Sequence, residues 1–490
     1  MNAAELLLAT GKDDATALVC GDDAVTYAQL RERVARTAGW LRAHGVGAGD
    51  RVVMTGADSI AWVTAWLGTV WAGAIAVGLN PRMRSEELGA ILNEASPRVC
   101  FADAEAAASI STASLFTSFK LVVLEGGGIA RDQPIAAAEC DAEDAAFWIY
   151  SSGTTGRPKA VVHVQRAVDA CGAFAREVLN AGTQDRFFAT SRLFFAYALA
   201  NSLFAGLRLG ACVILDGAWP EPEQIARVTQ KQRPTLFFSV PTLYHQMLAQ
   251  GVAAQVASYG ARHFVSAGES LPPQVAREWH AATGRHLISG YGMTETLALV
   301  LYRDLAQTGA SQAAPLAELY VEPAGSSQAD LPVRVWFRHP SLALGYYQWD
   351  DLQKRHFRDG WCSSGDLFFA RGEGRWEFAG RDDALVKVAG RWVSTLELQR
   401  ELANDLAGHV QDLAIAAVAG NEGLTGIAVF AVPVPGRESE AADRLQARLD
   451  QLPAHQRPRW RYWLHVLPRT ASGKLQIGRL REIHVQALGL

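Results

Sequence analysis

Short apolar runs alternate with longer amphipathic stretches along most of the chain. Residues 51–56 (RVVMTG), 121–126 (LVVLEG), 211–217 (ACVILDG) and 235–240 (TLFFSV) are nearly continuous in apolar side chains. Such runs predict short apolar strands, and helical spacing such as that of 27–44 predicts helices in the intervals. The alternation predicts α/β layers with largely parallel sheets. Residues 307–332, rich in Ala, Ser and Gln, break the pattern and predict a loop. After Arg381 a small α+β unit of about a hundred residues follows, a usual domain size. The predicted boundary lies at Asp382 and Asp383, dividing the chain into 1–382 and 383–490.

The stretch 60–79 (IAWVTAWLGTVWAGAIAVGL) challenges this picture, because it is uncharged and long enough to span a bilayer. Gly68, Gly73 and Gly78, followed by Asn80 and Pro81, instead predict a buried helix ending near Gly73 and then a short strand. The N-terminus lacks a basic region ahead of its short apolar run and makes a poor signal peptide.

Charge narrows the partners. Lys and Arg number 46 against 50 Asp and Glu, a net charge of −4, so no general attraction to nucleic acid or an acidic membrane is expected. The six cysteines, Cys20, Cys100, Cys140, Cys171, Cys212 and Cys362, form no CxxC pair. That fits free thiols in a reducing cytoplasm, with neither disulfides nor a structural metal.

Chemistry enters at 150–163, YSSGTTGRPKAVVH. Gly153 and Gly156 allow close backbone approach to a phosphate, Ser151, Ser152, Thr154 and Thr155 offer donors, and Lys159 supplies positive charge. The spacing is not GxxxxGK[ST], and taken alone the stretch reads equally well as a polar turn. Four more motifs follow in order: YGMTET at 291–296, GWCSSGDL at 360–367, GRDDALVKVAGRWVS at 380–394 and PRTASGKLQ at 468–476. Together the five resemble the adenylate-forming superfamily of acyl-CoA synthetases, adenylation domains and luciferases, over nearly the whole chain.

The resemblance implies a large N-terminal domain of layered α/β subdomains with a β-rich subdomain, hinged to a small mobile α+β C-terminal domain. It implies a cytoplasmic, AMP-forming acid–thiol ligase using ATP and Mg²⁺. Lys474 would act at the adenylation transition state, Lys159 on the departing pyrophosphate, Thr294 on the α-phosphate, and Glu295 on the metal. Tyr291, with Gly290 and Gly292, would meet the adenine, Gly268, Glu269 and Ser270 would join the nucleotide site, and Asp366 and Arg381 would hold the ribose. Asp383 would be the hinge and Gly390 would pass the pantetheine arm. Two departures stand out: Ala384 replaces a second hinge carboxylate, and 300–335 lacks the family's usual glycine turns.

Segments 191–201 (SRLFFAYALAN) and 239–244 (SVPTLY) are similar to the benzoate-CoA and anthranilate-CoA ligase branch. An aromatic acid is therefore expected, with Phe195, Ala196 and Tyr197 near it and Gly292 as a flat floor, although FFAY serves a core equally well. Ala298 and Leu299 stand where that branch tends to carry a His and an aliphatic residue, so a hydroxy- or aminobenzoate is as plausible as benzoate. The acceptor is coenzyme A, or alternatively the phosphopantetheine of an acyl carrier protein, and the chain is a monomer or homodimer. A phosphotransferase would yield ADP instead, and a non-catalytic nucleotide binder would not be expected to retain Glu295 and Lys474.

Overall fold

A computed structural model describes residues 1–124, 132–152, 158–307, 309–321, 332–381, 385–388, 391–420, 425–469 and 475–488. The chain divides into two compact units: Met1–Ser151, Lys159–Tyr320 and Trp336–Cys362 form one, and Ser152–Pro158, Val321–Val335 and Ser363–Leu490 the other.

Two sheets dominate the first unit. In one, Thr16–Cys20, Cys212–Leu215, Arg186–Ala189, Leu236–Ser239, His263–Ser266 and Leu287–Tyr291 run parallel, with antiparallel strands at the edges. In the other, Lys120–Val123, Val99–Ala102, Arg51–Thr55, Ile75–Leu79 and Ala145–Ser152 run parallel, followed by Pro158–Val164 and Gly345–Tyr346. The strands expected from the apolar runs all form; those inside the sheets are covered on both faces, as an uninterrupted apolar run suits, whereas Lys120–Val123 lies at a sheet edge and leaves Leu121 and Val123 exposed.

The helices are closed by local chemistry. Tyr27–Ala43 starts in a reciprocal capping box between Thr26 and Gln29. Ile60–Trp71 is capped by Ser59, ends two residues before Gly73 at φ +77°, and is followed by the strand Ile75–Leu79. Among the described residues no helix is long and apolar enough to cross a membrane. Its uncharged face instead packs inward: Trp66 lies between Phe147 and Phe204, ring centroids 5.3 and 5.0 Å away. Each such aromatic pair adds roughly 0.5–1.5 kcal/mol beyond area burial.

One expectation is corrected. The loop predicted over 307–332 contains short strands at Gln312–Ala313 and Glu318–Val321, joined by a turn through Pro315 and Leu316. Backbone pairing to Leu301–Asp304 supplies the order that the polar side chains do not signal.

In the second unit Asp366–Ala370 pairs antiparallel with Trp376–Arg381. Val410–Ala419 and Thr425–Pro433 form a long antiparallel pair joined in parallel by Trp460–Trp463, with helices Thr395–Asp405, Glu438–Gln451 and Ile477–Leu488. The elements after Arg381 are of the mixed α+β type expected there, and the compact unit that holds them also takes in Ser363–Arg381.

Candidate active site

In the first unit the motif residues collect at the carboxyl ends of the parallel strands, where open α/β sheets bind ligands. Gly268, Glu269 and Ser270 follow the strand His263–Ser266, Gly290 and Tyr291 close Leu287–Tyr291, and Ser151 closes Ala145–Ser152. Gly268 adopts φ +88°, which suits glycine, and Glu269 Oε2 accepts a 2.7 Å hydrogen bond from the Thr242 hydroxyl. The Ser151 hydroxyl is buried and finds no hydrogen-bond partner among the described residues.

Lys159 and Glu295, far apart in sequence, meet. Lys159 Nζ lies 3.1 Å from Glu295 Oε1 and 3.1 Å from the Tyr346 hydroxyl, which donates to the same carboxylate oxygen at 2.7 Å. Burial alone would push the Glu295 carboxyl up, but the Lys159 ammonium and the Tyr346 hydrogen bond outweigh it and hold the group below its ordinary value of 4.5. Glu295 is therefore ionised at neutral pH.

The turn carrying Glu295 is fixed from two sides. His163, near the end of the strand Pro158–Val164, meets the Thr294 carbonyl through Nε2 at 2.9 Å and stacks on Phe147 at 4.9 Å. On the other side, Ala343 N–H donates to the Glu295 carbonyl at 2.8 Å and the Ser341 hydroxyl donates to the Thr296 carbonyl at 2.6 Å. Burial pushes His163 down to about 4, so it works as a neutral donor. Sequence reasoning assigned no role to His163, Ser341 or Tyr346. The available signals were a histidine closing an apolar strand (AVVH) and an aromatic pair after glycine (GYY at 345–347).

The expected floor and wall also adjoin. A Cβ on Gly292 would lie 3.0 Å from the Ala298 carbonyl oxygen and 3.3 Å from Leu299 Cα. Phe195, 37% exposed, precedes the short helix Ala196–Ala198, which continues as a π-helix over Leu199–Phe204, a distortion frequent at functional sites. The Tyr197 hydroxyl donates to the Val265 carbonyl at 3.0 Å, so its ring is tied to the central sheet.

In the second unit, Asp366 and Arg381 stand directly opposite each other on paired antiparallel strands. Gly153, Thr154, Thr155, Gly156, Asp383, Gly390 and Lys474, and the side chains of Ser152 and Arg381, lie outside the described residues.

Parallel strands whose carboxyl ends carry an ionised carboxylate paired with a lysine define a protein of the layered α/β class. More narrowly, the chain belongs to the family of AMP-binding enzymes, whose model matches residues 8–347. It is 38% identical over 508 residues to a 3-hydroxybenzoate–CoA ligase of Aromatoleum sp. (strain CIB), covering 99% of this chain and 97% of that protein. It is 34% identical over 510 residues to a 3-hydroxybenzoate–CoA/4-hydroxybenzoate–CoA ligase of Thauera aromatica, with 99% and 97% covered. Among solved structures, the anthranilate CoA ligase AuaEII in complex with anthranoyl-AMP is similar at a TM-score of 0.86 and 28% identity, covering 100% of this chain and 98% of that one.

Proposed function

We propose that this protein is an AMP-forming aryl-acid–CoA ligase acting on a hydroxybenzoate-type acid. The observation that carries it is the buried Lys159–Glu295–Tyr346 cluster at the strand ends of a chain similar over nearly its full length to hydroxybenzoate–CoA ligases. That similarity favours coenzyme A over a carrier protein as acceptor.

In the first step a carboxylate oxygen of the acid attacks the α-phosphorus of ATP and the bond to the β-phosphate oxygen breaks, giving acyl-AMP and pyrophosphate. Two anions must approach, so positive charge has to be in place beforehand. Lys159 meets the leaving phosphates, the Thr294 hydroxyl the α-phosphate, and Lys474 both reacting groups. Tyr291 and Gly290 border the adenine, and Asp366 with Arg381 takes the ribose. In the second step the thiol sulfur attacks the acyl carbon, the carbon–oxygen bond to AMP breaks, and the thiol proton is released. Asp383 is the hinge between 1–382 and 383–490 that exchanges Lys474 for Gly390 between the steps.

The residues fit Mg²⁺. Glu295 is a buried, ionised oxygen ligand, and among the described residues no group of three or more His, Cys, Asp or Glu would hold a metal alone. A single carboxylate completed by phosphates and water is the usual arrangement for this ion. When bound, Mg²⁺ neutralises phosphate charge.

The test is acid-dependent pyrophosphate release over benzoate, hydroxybenzoates, aminobenzoates and fatty acids, with coenzyme A and a holo carrier protein each supplied as acceptor. Hydroxybenzoates with coenzyme A are expected to lead, and a preference for long-chain fatty acids would remove the aryl reading.

A further inference from the structure

Tyr346 stands outside the five motifs, yet two donors share one oxygen of Glu295 and Tyr346 is one of them. Its hydroxyl donates to Oε1 at 2.7 Å, and Lys159 reaches the same atom at 3.1 Å with its ammonium 4.1 Å above the Tyr346 ring. The cluster is nearly sealed, with the Lys159 and Glu295 side chains 14% and 10% exposed and Tyr346 at 9%.

The two donors differ in freedom. Lys159 is an ammonium on a flexible stem, beside a loop that takes phosphates, and it can leave the carboxylate for them. Tyr346 is held in place. Gly345–Tyr346 pairs with Pro158–Val164, Tyr346 N–H donates to Gln353 Oε1 at 2.9 Å, and Tyr347 N–H donates to the Ala160 carbonyl at 3.0 Å. A buried carboxylate that lost every donor would be strongly disfavoured, so a fixed donor is needed once Lys159 moves.

We propose that Tyr346 is the positioning residue for Glu295: its hydroxyl holds the carboxylate in register for the metal after Lys159 has turned to the phosphates of ATP. The Lys159–Glu295 pair is then the nucleotide-free state of the site, in which the lysine neutralises the carboxylate until nucleotide arrives. This rests on the reading of Glu295 as the metal-binding carboxylate, and the test separates the two.

ATP binding is measured calorimetrically without acid substrate, with and without Mg²⁺, and the ratio of the two affinities is the metal increment. Tyr346→Phe keeps the ring beneath Lys159 and removes one oxygen. It is expected to cut the increment by roughly ten- to a hundredfold, the usual effect of losing a partner behind a metal ligand. Metal-free ATP affinity and the KM for the acid should stay at parent values. Lys159→Met is expected to behave oppositely, weakening metal-free binding while the increment survives. In Glu295→Gln the increment should vanish, with Tyr346→Phe adding nothing further in that background. An increment retained in Tyr346→Phe, or lost in Lys159→Met, overturns the role of Tyr346. An increment untouched by Glu295→Gln overturns the metal role of Glu295 itself. If thermal melting shows that Tyr346→Phe does not fold, the Lys159→Met measurement decides.

Discussion

At the scale of single residues, the site depends on groups whose protonation is set by burial. His163 and His339 are both pushed down to about 4 by burial. Unfolding returns them to an ordinary value near 6.5, so the unfolded chain takes up protons that the folded chain refuses. Stability is thus fully present above 6.5 and is lost as pH falls toward 4, by up to ~3 kcal/mol for each histidine. Below 4.5 the loss deepens, because Glu295, whose folded value is depressed, must also be protonated. Denaturant titrations at pH 7, 5.5 and 4 should show this fall, and His339→Asn should flatten the limb between 6.5 and 4. An equally steep limb in that variant would show that burial of His339 is not its source.

Glu295→Gln keeps the shape of the side chain and removes its charge, so acid-dependent pyrophosphate release should drop by at least about tenfold while the protein stays folded. Gly292 is constrained differently. Any side chain there meets the Ala298 carbonyl at 3.0 Å, so Gly292→Leu should raise the KM for aromatic acids and move the turn as well. Full activity on every aryl acid would place the ring elsewhere.

At the scale of elements, buried parallel strands and capped helices were legible because their signals are local: an unbroken apolar run, or Thr26 followed by Gln29. What was not legible depends on partners distant in sequence. The strand Gly345–Tyr346 exists because it pairs with Val161 and Val162, and nothing in GYY announces that partner. Gln312–Ala313 likewise owes its order to Leu301 and Tyr302. The motifs named Lys159 and Glu295, but not that they would touch.

The turn beyond Gln312–Ala313 supports a prediction of its own. Pro315 occupies its second position and Leu316, half exposed at φ +66°, its third, with Ala317 N–H donating to the Ala314 carbonyl at 3.0 Å. A turn of this pattern favours glycine at the third position. Leu316→Gly should therefore stabilise the protein by about 1 kcal/mol, read as a higher denaturant midpoint with an unchanged slope. A lower midpoint would show that Leu316 contributes packing that outweighs its backbone strain.

At the scale of the whole molecule, the proposal assigns Lys474 and Gly390 to different steps of one reaction, exchanged about Asp383. Lys474→Ala should abolish acyl-adenylate formation, yet leave thioester formation largely intact when synthetic acyl-adenylate is supplied. Asp383→Pro should do the reverse, since the proline ring fixes φ near −65° and limits the rotation a hinge must absorb. Equal damage to both steps by both variants would remove domain alternation.

The central claim, that this chain activates a hydroxybenzoate through its adenylate for coenzyme A, is tested most directly by the products of one reaction. Purified protein is given ATP, Mg²⁺, 3-hydroxybenzoate and coenzyme A, and nucleotides and thioester are quantified together. The account predicts AMP, pyrophosphate and 3-hydroxybenzoyl-CoA in equal amounts, with none formed when the acid is left out. ADP and phosphate in place of AMP and pyrophosphate, or AMP without any aryl thioester, would contradict it.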